Sequence, residues 1–242
     1  KSSCRKVDGG IVGNRNILPV MDLINGVGLD ALRDESNVAN LVRLFGIMAW
    51  DHPGKPLNGP EAAYINPGGM AALGQTPEQI AAALVYLSEY TINSFCEIGV
   101  CTGGNFLFTA TYLRRFNPGI RCTGVDPTQY LDPDVRNIIS SSDWMEFIPA
   151  TSEGIVGRKF DLVFIDGDHA SGWVEKDWQN VGRHAKFCMF HDLQDSNWPD
   201  VLTFWTGLGF PKGKTKVEFL KCYPDRPAHG IGLIHNKERG GA

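Results

Sequence analysis

The sequence holds no run of eighteen apolar residues, so it offers no membrane-spanning helix. It holds no long block of Lys and Arg, and its formal net charge is -4, which weighs against a nucleic-acid partner. It holds no C-x-x-C pair. Its cysteines, Cys4, Cys96, Cys101, Cys122, Cys188 and Cys222, are scattered, several of them in apolar runs. Such a pattern reads as reduced core cysteines in a cytoplasmic protein rather than as a disulfide framework. Internal repeats and low-complexity tracts are absent. The opening "KSSCRKVDGG" lacks the apolar core of a secretory signal, and the missing initiator Met reads as a fragment or a processed product. What remains is a 242-residue chain that is 43% hydrophobic and 21% charged. That suits one large globular domain, or one domain with an appendage.

Two regions differ in character. Up to about residue 75 the chain reads as irregular, with one helix from Ser36 to about Trp50 that sets Val38, Leu41, Val42 and Phe45 on one face. The Pro- and Gly-rich "DHPGKPLNGPEAAYINPGG" follows, a length of loop that suits a substrate lid. We therefore divide the chain into an N-terminal helical and loop segment, 1–75, and a regular domain, 76–242. The second region opens on "TPEQ", a capping box with Pro at the first helical position. Strands and helices then alternate. "SFCEIGV", "IRCTGVD", "MEFIPA", "KFDLVFID" and "KFCMFHD" read as strands with helices between them. "KVEFLKC" and "GIGLIHN" close the chain as an antiparallel hairpin. The expected fold is α/β: a Rossmann-like seven-stranded sheet, mostly parallel, with an antiparallel C-terminal hairpin and helices on both faces.

Within this frame "CEIGVCTGG" turns from a strand into a helix. Glycines there let the backbone pass close to a ligand, and the helix start offers free N–H groups. The spacing is G-x-x-x-G-G, which disfavours a nicotinamide oxidoreductase with its G-x-G-x-x-G turn. The next strand ends in "GVDP", which places Asp126 where a carboxylate can hold both hydroxyls of a ribose. Glycine turn and acid together point to an adenosine-containing cofactor.

Taken in order, "EIGVCTGG", "GVDP", "FDLVFIDGDH" and "MFHD" resemble the class I S-adenosylmethionine-dependent methyltransferases. The likeness runs from about Thr76 to the end. It is nearest to the O-methyltransferases of sugars and natural products and to the cephalosporin-hydroxylase-like proteins. The resemblance implies S-adenosyl-L-methionine as cofactor and a hydroxyl of a small molecule as methyl acceptor. It places Glu97, Gly99, Gly103 and Gly104 at the methionine part, Asp126 at the ribose and Ser152 at the adenine. In the metal-dependent branch an Asp ends the fourth strand and a ligand pair follows the fifth. Those positions are Asp166 and the pair His191 and Asp192. Relatives carry oxygen ligands at both places of the pair, which suits Mg²⁺; the imidazole here shifts preference toward Mn²⁺, Zn²⁺ or Fe²⁺. His191 is read either as a ligand or as a base or outer partner.

Methyl transfer to a hydroxyl requires an acceptor that has lost its proton. Asp168 or His169 is the expected base, with Asp166 as ligand. Both also read as structural residues: Asp168 as the cap of the next helix, His169 as packing at its start. Trp173 and Trp178 read as packing residues and Asp177 as a solvated charge. His229 and His235 flank the last strand and receive no role. Tyr64 and Met70, in the loop, are candidates to touch the acceptor. Two other readings stay open. An RNA cap ribose 2'-O-methyltransferase would use Asp166 and Glu218, although no Lys follows the fifth strand. A non-catalytic subunit of this fold is the other. Oligomeric state is not legible.

Overall fold

The computed structural model describes residues 17–46, 73–128, 130–169, 172–194, 198–209, 213–220 and 229–236. Seven strands, β1 (Ser94–Ile98), β2 (Arg121–Val125), β3 (Met145–Ile148), β4 (Leu162–Ile165), β5 (Phe187–Phe190), β6 (Lys214–Phe219) and β7 (Ile231–Asn236), form one sheet in the order β3-β2-β1-β4-β5-β7-β6. The first five pair in parallel. β7 is antiparallel to both β5 and β6, so the reversed strand lies inside the sheet rather than at its edge. The chain runs one way from β1 through β2 to β3 and the other way from β4 to β5. The carboxyl ends of β1 and β4 therefore flank the point where loops diverge, which is where open α/β sheets bind ligands.

Alternation along the strands sends side chains into two cores. On β4, Leu162 and Phe164 face one core while Val163 and Ile165 face the other; on β5, Phe187 and Met189 separate in the same way from Cys188 and Phe190. The first core receives α4 (Pro77–Leu87), α5 (Gly104–Phe116) and α6 (Pro133–Ser140). The second receives α7 (Trp173–Asn180) and α8 (Pro199–Gly207), with Trp178 and Trp205 packed there. Strands buried on both faces explain why the sequence shows continuous apolar runs rather than alternation.

The N-terminal region is more regular than expected. It contains α1 (Ile17–Gly26), α2 (Leu29–Leu32) and α3 (Glu35–Phe45), the last capped by Asp34, whose carboxylate accepts from Ser36 N (2.8 Å) and Asn37 N (3.1 Å). Ile17, Val20 and Ile24 are buried at helical spacing in the first core, but Pro19 and the short apolar run obscured that period. Arg115 Nη2 donates to Val27 O (2.8 Å) and Tyr112 Oη to Leu32 O (2.6 Å), which tie these helices to α5. The loop proposed as a lid, with Tyr64 and Met70, lies outside the described residues.

Two further expectations change. Thr76 is the N-cap of α4 and Pro77 its first residue, but Thr76 makes no side-chain cap bond. Gln79 Oε1 instead accepts from Gly230 N (3.0 Å), so the glutamine of the box fastens β7 to α4. Cys96, Cys122 and Cys188 are buried free thiols as expected, pushed up in pKa by that burial. Cys101, in contrast, is disulfide-bonded.

Candidate active site

The glycine turn is shaped by its neighbours. Gly99 has φ +94°, and a Cβ there would stand 2.1 Å from Asp166 O. The turn after β1 is thus pressed against the backbone that follows β4. Gly103 caps α5 with φ +92°, and a Cβ would strike Val135 Cγ1 at 2.6 Å. Gly104 opens α5, so the free N–H groups and positive dipole end of a thirteen-residue helix lie at this turn. Asp126, directly after β2, braces it. Its Oδ2 accepts from Cys101 N (2.8 Å), and its Oδ1 accepts from Thr128 N (2.8 Å) and from the Thr128 hydroxyl. A carboxylate has roughly four acceptor positions, so about one is left for a ligand hydroxyl, and a second when the Thr128 hydroxyl turns away.

Glu97, one residue before the end of β1, is 1% exposed and accepts from Asn105 Nδ2 (2.9 Å). Burial pushes its carboxyl well above the usual range, and the negative charge of Asp166 adds to the rise. Asn105 Oδ1 has no partner. Burial thus favours the neutral acid, and a cation arriving beside it, such as the ammonium of an amino-acid ligand, would stabilise the carboxylate.

At the ends of β4 and β5 the sheet ladder continues for one more residue. Asp166 N donates to Ile98 O (2.9 Å) and His191 N to Ile165 O (3.2 Å), so both side chains start from rigid backbone. Asp166, His169, His191 and Asp192 each bring one ligand-type atom into a group spanning no more than 4.8 Å. His191 Nδ1 lies 3.1 Å from both Asp166 Oδ1 and Asp192 Oδ1. His169 Nε2 lies 3.1 Å from Asp192 Oδ2 and 3.8 Å from Asp166 Oδ1. Burial works against charge on the His191 ring, but Asp192 and Asp166 outweigh it and hold the imidazole well above its ordinary value. Burial likewise opposes charge on Asp192, but His191 and His229 draw its carboxyl well below the usual range. Asp192 has φ +59°, a left-handed conformation uncommon outside glycine and found at strained functional positions.

The group thus unites all three residues expected as metal ligands with one of the two expected bases. Asp168 lies outside it and is exposed. Two participants were not anticipated. Gln75 Nε2 donates to Asp166 Oδ2 (2.6 Å), and His229 Nδ1 lies 2.9 Å from Asp192 Oδ1 with its ring stacked on His191 at 5.4 Å. His235 sits at the far end of β7, where Tyr86 Oη lies 2.8 Å from its Nε2. Glu218, named above for the RNA-cap set, accepts from Trp205 Nε1 (2.6 Å) and lies outside the group.

Ser152, expected at the adenine, is fully buried. Its hydroxyl donates to Asp177 Oδ1 (2.6 Å) and accepts from Asn180 Nδ2 (2.9 Å). Asp177 is therefore not the solvated charge that its position between Lys176 and Gln179 suggested: it is 3% exposed. Burial pushes its carboxyl up to about 6, against the opposing pull of the Ser152 hydrogen bond. An acid that holds its proton more tightly folded than unfolded stabilises fully below pH ~4 and loses that contribution as pH rises through about 6. Asp177→Asn keeps the acceptor for Ser152 and removes the charge. It is expected to match wild type at pH 4 and to exceed it by up to about 3 kcal/mol at pH 8, read by urea denaturation at both pH values.

The sheet order, the glycine turn and the His/Asp group at one end of the sheet define a Rossmann-like α/β fold. Residues 96–192 match the model of a family described as a methyltransferase domain. Three solved structures share the fold. The O-methyltransferase TomG from Streptomyces achromogenes, involved in tomaymycin synthesis and solved in complex with SAM, is 14% identical, with a TM-score of 0.53 over 70% of this chain and 82% of its own. Cofactor-bound Rv0187 from MTB is 14% identical, with a TM-score of 0.51 over 94% of this chain and 99% of its own. A Klebsiella pneumoniae protein provisionally named an O-methyltransferase is 15% identical, with a TM-score of 0.51 over 93% and 96%. At these identities the likeness is one of fold. No curated protein matches the sequence. Among the described residues no helix is long and apolar enough to cross a membrane.

Proposed function

We propose that this protein transfers the methyl group of S-adenosyl-L-methionine to a hydroxyl of a small-molecule acceptor, with help from a divalent cation and a histidine base. The observation that carries this reading is the contact between the glycine turn and the Asp166 backbone, which joins a cofactor-type loop to the His/Asp group at one end of the sheet. In this reading Glu97 receives the ammonium of the methionine part, the turn from Gly99 to Gly104 lines it, and Asp126 takes the ribose. The loop of Ser152 borders the adenine through its backbone, since the hydroxyl is engaged inside the fold.

Asp166, His191 and Asp192 would hold the cation. The donor chemistry fits: two carboxylates and an imidazole converge, and the His191 ring already bridges the carboxylates at 3.1 Å from each. A bound divalent ion supplies positive charge that lowers the pKa of an acceptor hydroxyl. His169 takes the proton. Its Nε2 is shielded from solvent and makes no hydrogen bond, although Asp192 Oδ2 is 3.1 Å away. It faces both carboxylates, 3.1 Å from Asp192 Oδ2 and 3.8 Å from Asp166 Oδ1, at the place where the acceptor hydroxyl would meet the cation. Segment 1–75 contributes to the acceptor pocket through Gln75. A net charge of -4 supports a small acceptor over RNA. The three buried thiols support a cytoplasmic setting, against which the Cys101 disulfide stands.

Calorimetric titration with S-adenosylmethionine and S-adenosylhomocysteine tests the reading. Wild type is expected to bind both at micromolar concentration, and Asp126→Ala to lose binding as the glycine turn loses its brace. Absence of binding by wild type, with or without Mg²⁺ or Mn²⁺, would overturn it in favour of a non-catalytic subunit.

A further inference from the structure

We infer that the His/Asp group selects a first-row transition ion of the Mn²⁺, Fe²⁺, Co²⁺ or Zn²⁺ type over Mg²⁺ and Ca²⁺, with His191 as its nitrogen ligand and with Gln75 and His229 fixing its two carboxylates. This rests on the cation proposed above and names its chemical class.

Hard cations take oxygen ligands, whereas imidazole suits first-row transition ions. His191 puts a nitrogen at the centre of the group: Nδ1 is 3.1 Å from one oxygen of each carboxylate, and the residue is 4% exposed. Its other nitrogen, Nε2, is buried with no partner among the described residues, so the ring's polar contacts are all made through Nδ1, toward the two carboxylates. A buried imidazole with one unpaired nitrogen carries a desolvation penalty, which a role at the opposite nitrogen offsets.

The carboxylates are held from outside the group. Gln75 Nε2 grips Asp166 Oδ2 at 2.6 Å, leaving Oδ1 turned to His191. His229 Nδ1 meets Asp192 Oδ1 at 2.9 Å, leaving Oδ2 turned to His169. Hydrogen bonds of this kind orient ligand atoms and tune affinity. Gln75 and His229 come from opposite ends of the chain. They are also linked through α4 and β7, because Gln79, four residues after Gln75, accepts from Gly230 N. Loss of either tether is expected to weaken ion binding without removing the nitrogen ligand.

The test uses the full chain, titrated separately with MnCl₂, CoCl₂ and MgCl₂. Thermal midpoints are recorded, and pulsed electron paramagnetic resonance is run on the Mn²⁺ complex. Mn²⁺ and Co²⁺ are expected to raise the midpoint at concentrations where Mg²⁺ has no effect, and the Mn²⁺ signal is expected to carry ¹⁴N coupling. His191→Asp should abolish that coupling and narrow the gap between Mn²⁺ and Mg²⁺. His229→Gln should keep the coupling and weaken Mn²⁺ binding by about 10- to 100-fold. Equal response to Mg²⁺ and Mn²⁺, a Mn²⁺ complex without ¹⁴N coupling, or no response to any ion would overturn the inference. S-adenosylhomocysteine binding on the same samples separates the two readings. Cofactor binding without ion selectivity removes this inference alone, and ion selectivity without cofactor binding removes the methyl-transfer reading alone.

Discussion

His169→Ala is expected to lower kcat by about 10²- to 10⁴-fold while S-adenosylmethionine affinity stays within twofold of wild type. The residue follows the Asp166–Gly167 turn, and its Nε2 is carried into the group without a hydrogen-bond partner. A side chain placed only for packing would not need a shielded nitrogen beside two carboxylates. The residues proposed to face the cofactor, Glu97 and Asp126, make their hydrogen bonds with Asn105, Cys101 N and Thr128 rather than with His169, so the substitution should spare the first binding step. Steady-state kinetics with an acceptor found by screening, paired with calorimetry for the cofactor, checks both halves. A loss of cofactor binding equal to the loss of rate would move His169 from proton transfer to structure.

Gly99→Ala should have the largest effect on stability, about 3–5 kcal/mol, or a fall of roughly 10 °C or more in Tm. The methyl group would stand 2.1 Å from Asp166 O and 2.5 Å from Gly167 Cα, both backbone atoms that cannot swing aside. The residue must also keep φ at +94°, which alanine resists. Relief requires β1 and β4 to separate at their carboxyl ends, which would disturb the glycine turn and the Asp166 carboxylate together. Thermal denaturation measures the stability change. A variant within 1 kcal/mol of wild type would show that the two loops are not pressed together.

The strands were legible because a sheet covered on both faces demands unbroken apolar segments, as in "FDLVFI" and "KFCMF". Asp166 stood out as a polar group directly after such a run, whereas its reading as a ligand, and that of His191 and Asp192, came from the family resemblance. His169 was found because it lies in the same turn. His229 and Gln75 were not, since nothing local marks them. His229 precedes β7 and meets Asp192 across 37 positions, while Gln75 sits before a helix where a glutamine reads as surface. Asp177 was misjudged because α7 shows exposed Glu175 and Lys176 beside it, and only the three-dimensional position of Ser152 puts the carboxylate inside. The first two helices were hidden by a proline and by short length; tertiary contacts with α5 compensate for their weak local preference.

The insertion of β7 between β5 and β6 has a consequence for how the molecule assembles. The five parallel strands all precede β7 in the chain, but the tethers of the site join distant positions. Gln75 meets Asp166 across 91 positions, and Gln79 meets Gly230 across 151. Contacts that distant form against a large loop-closure entropy and are slow to arrive. We expect the parallel part of the sheet to form before the last tether of the site does. A nascent sheet can hold the carboxylates at its rim for some time before the final strand arrives to aim them.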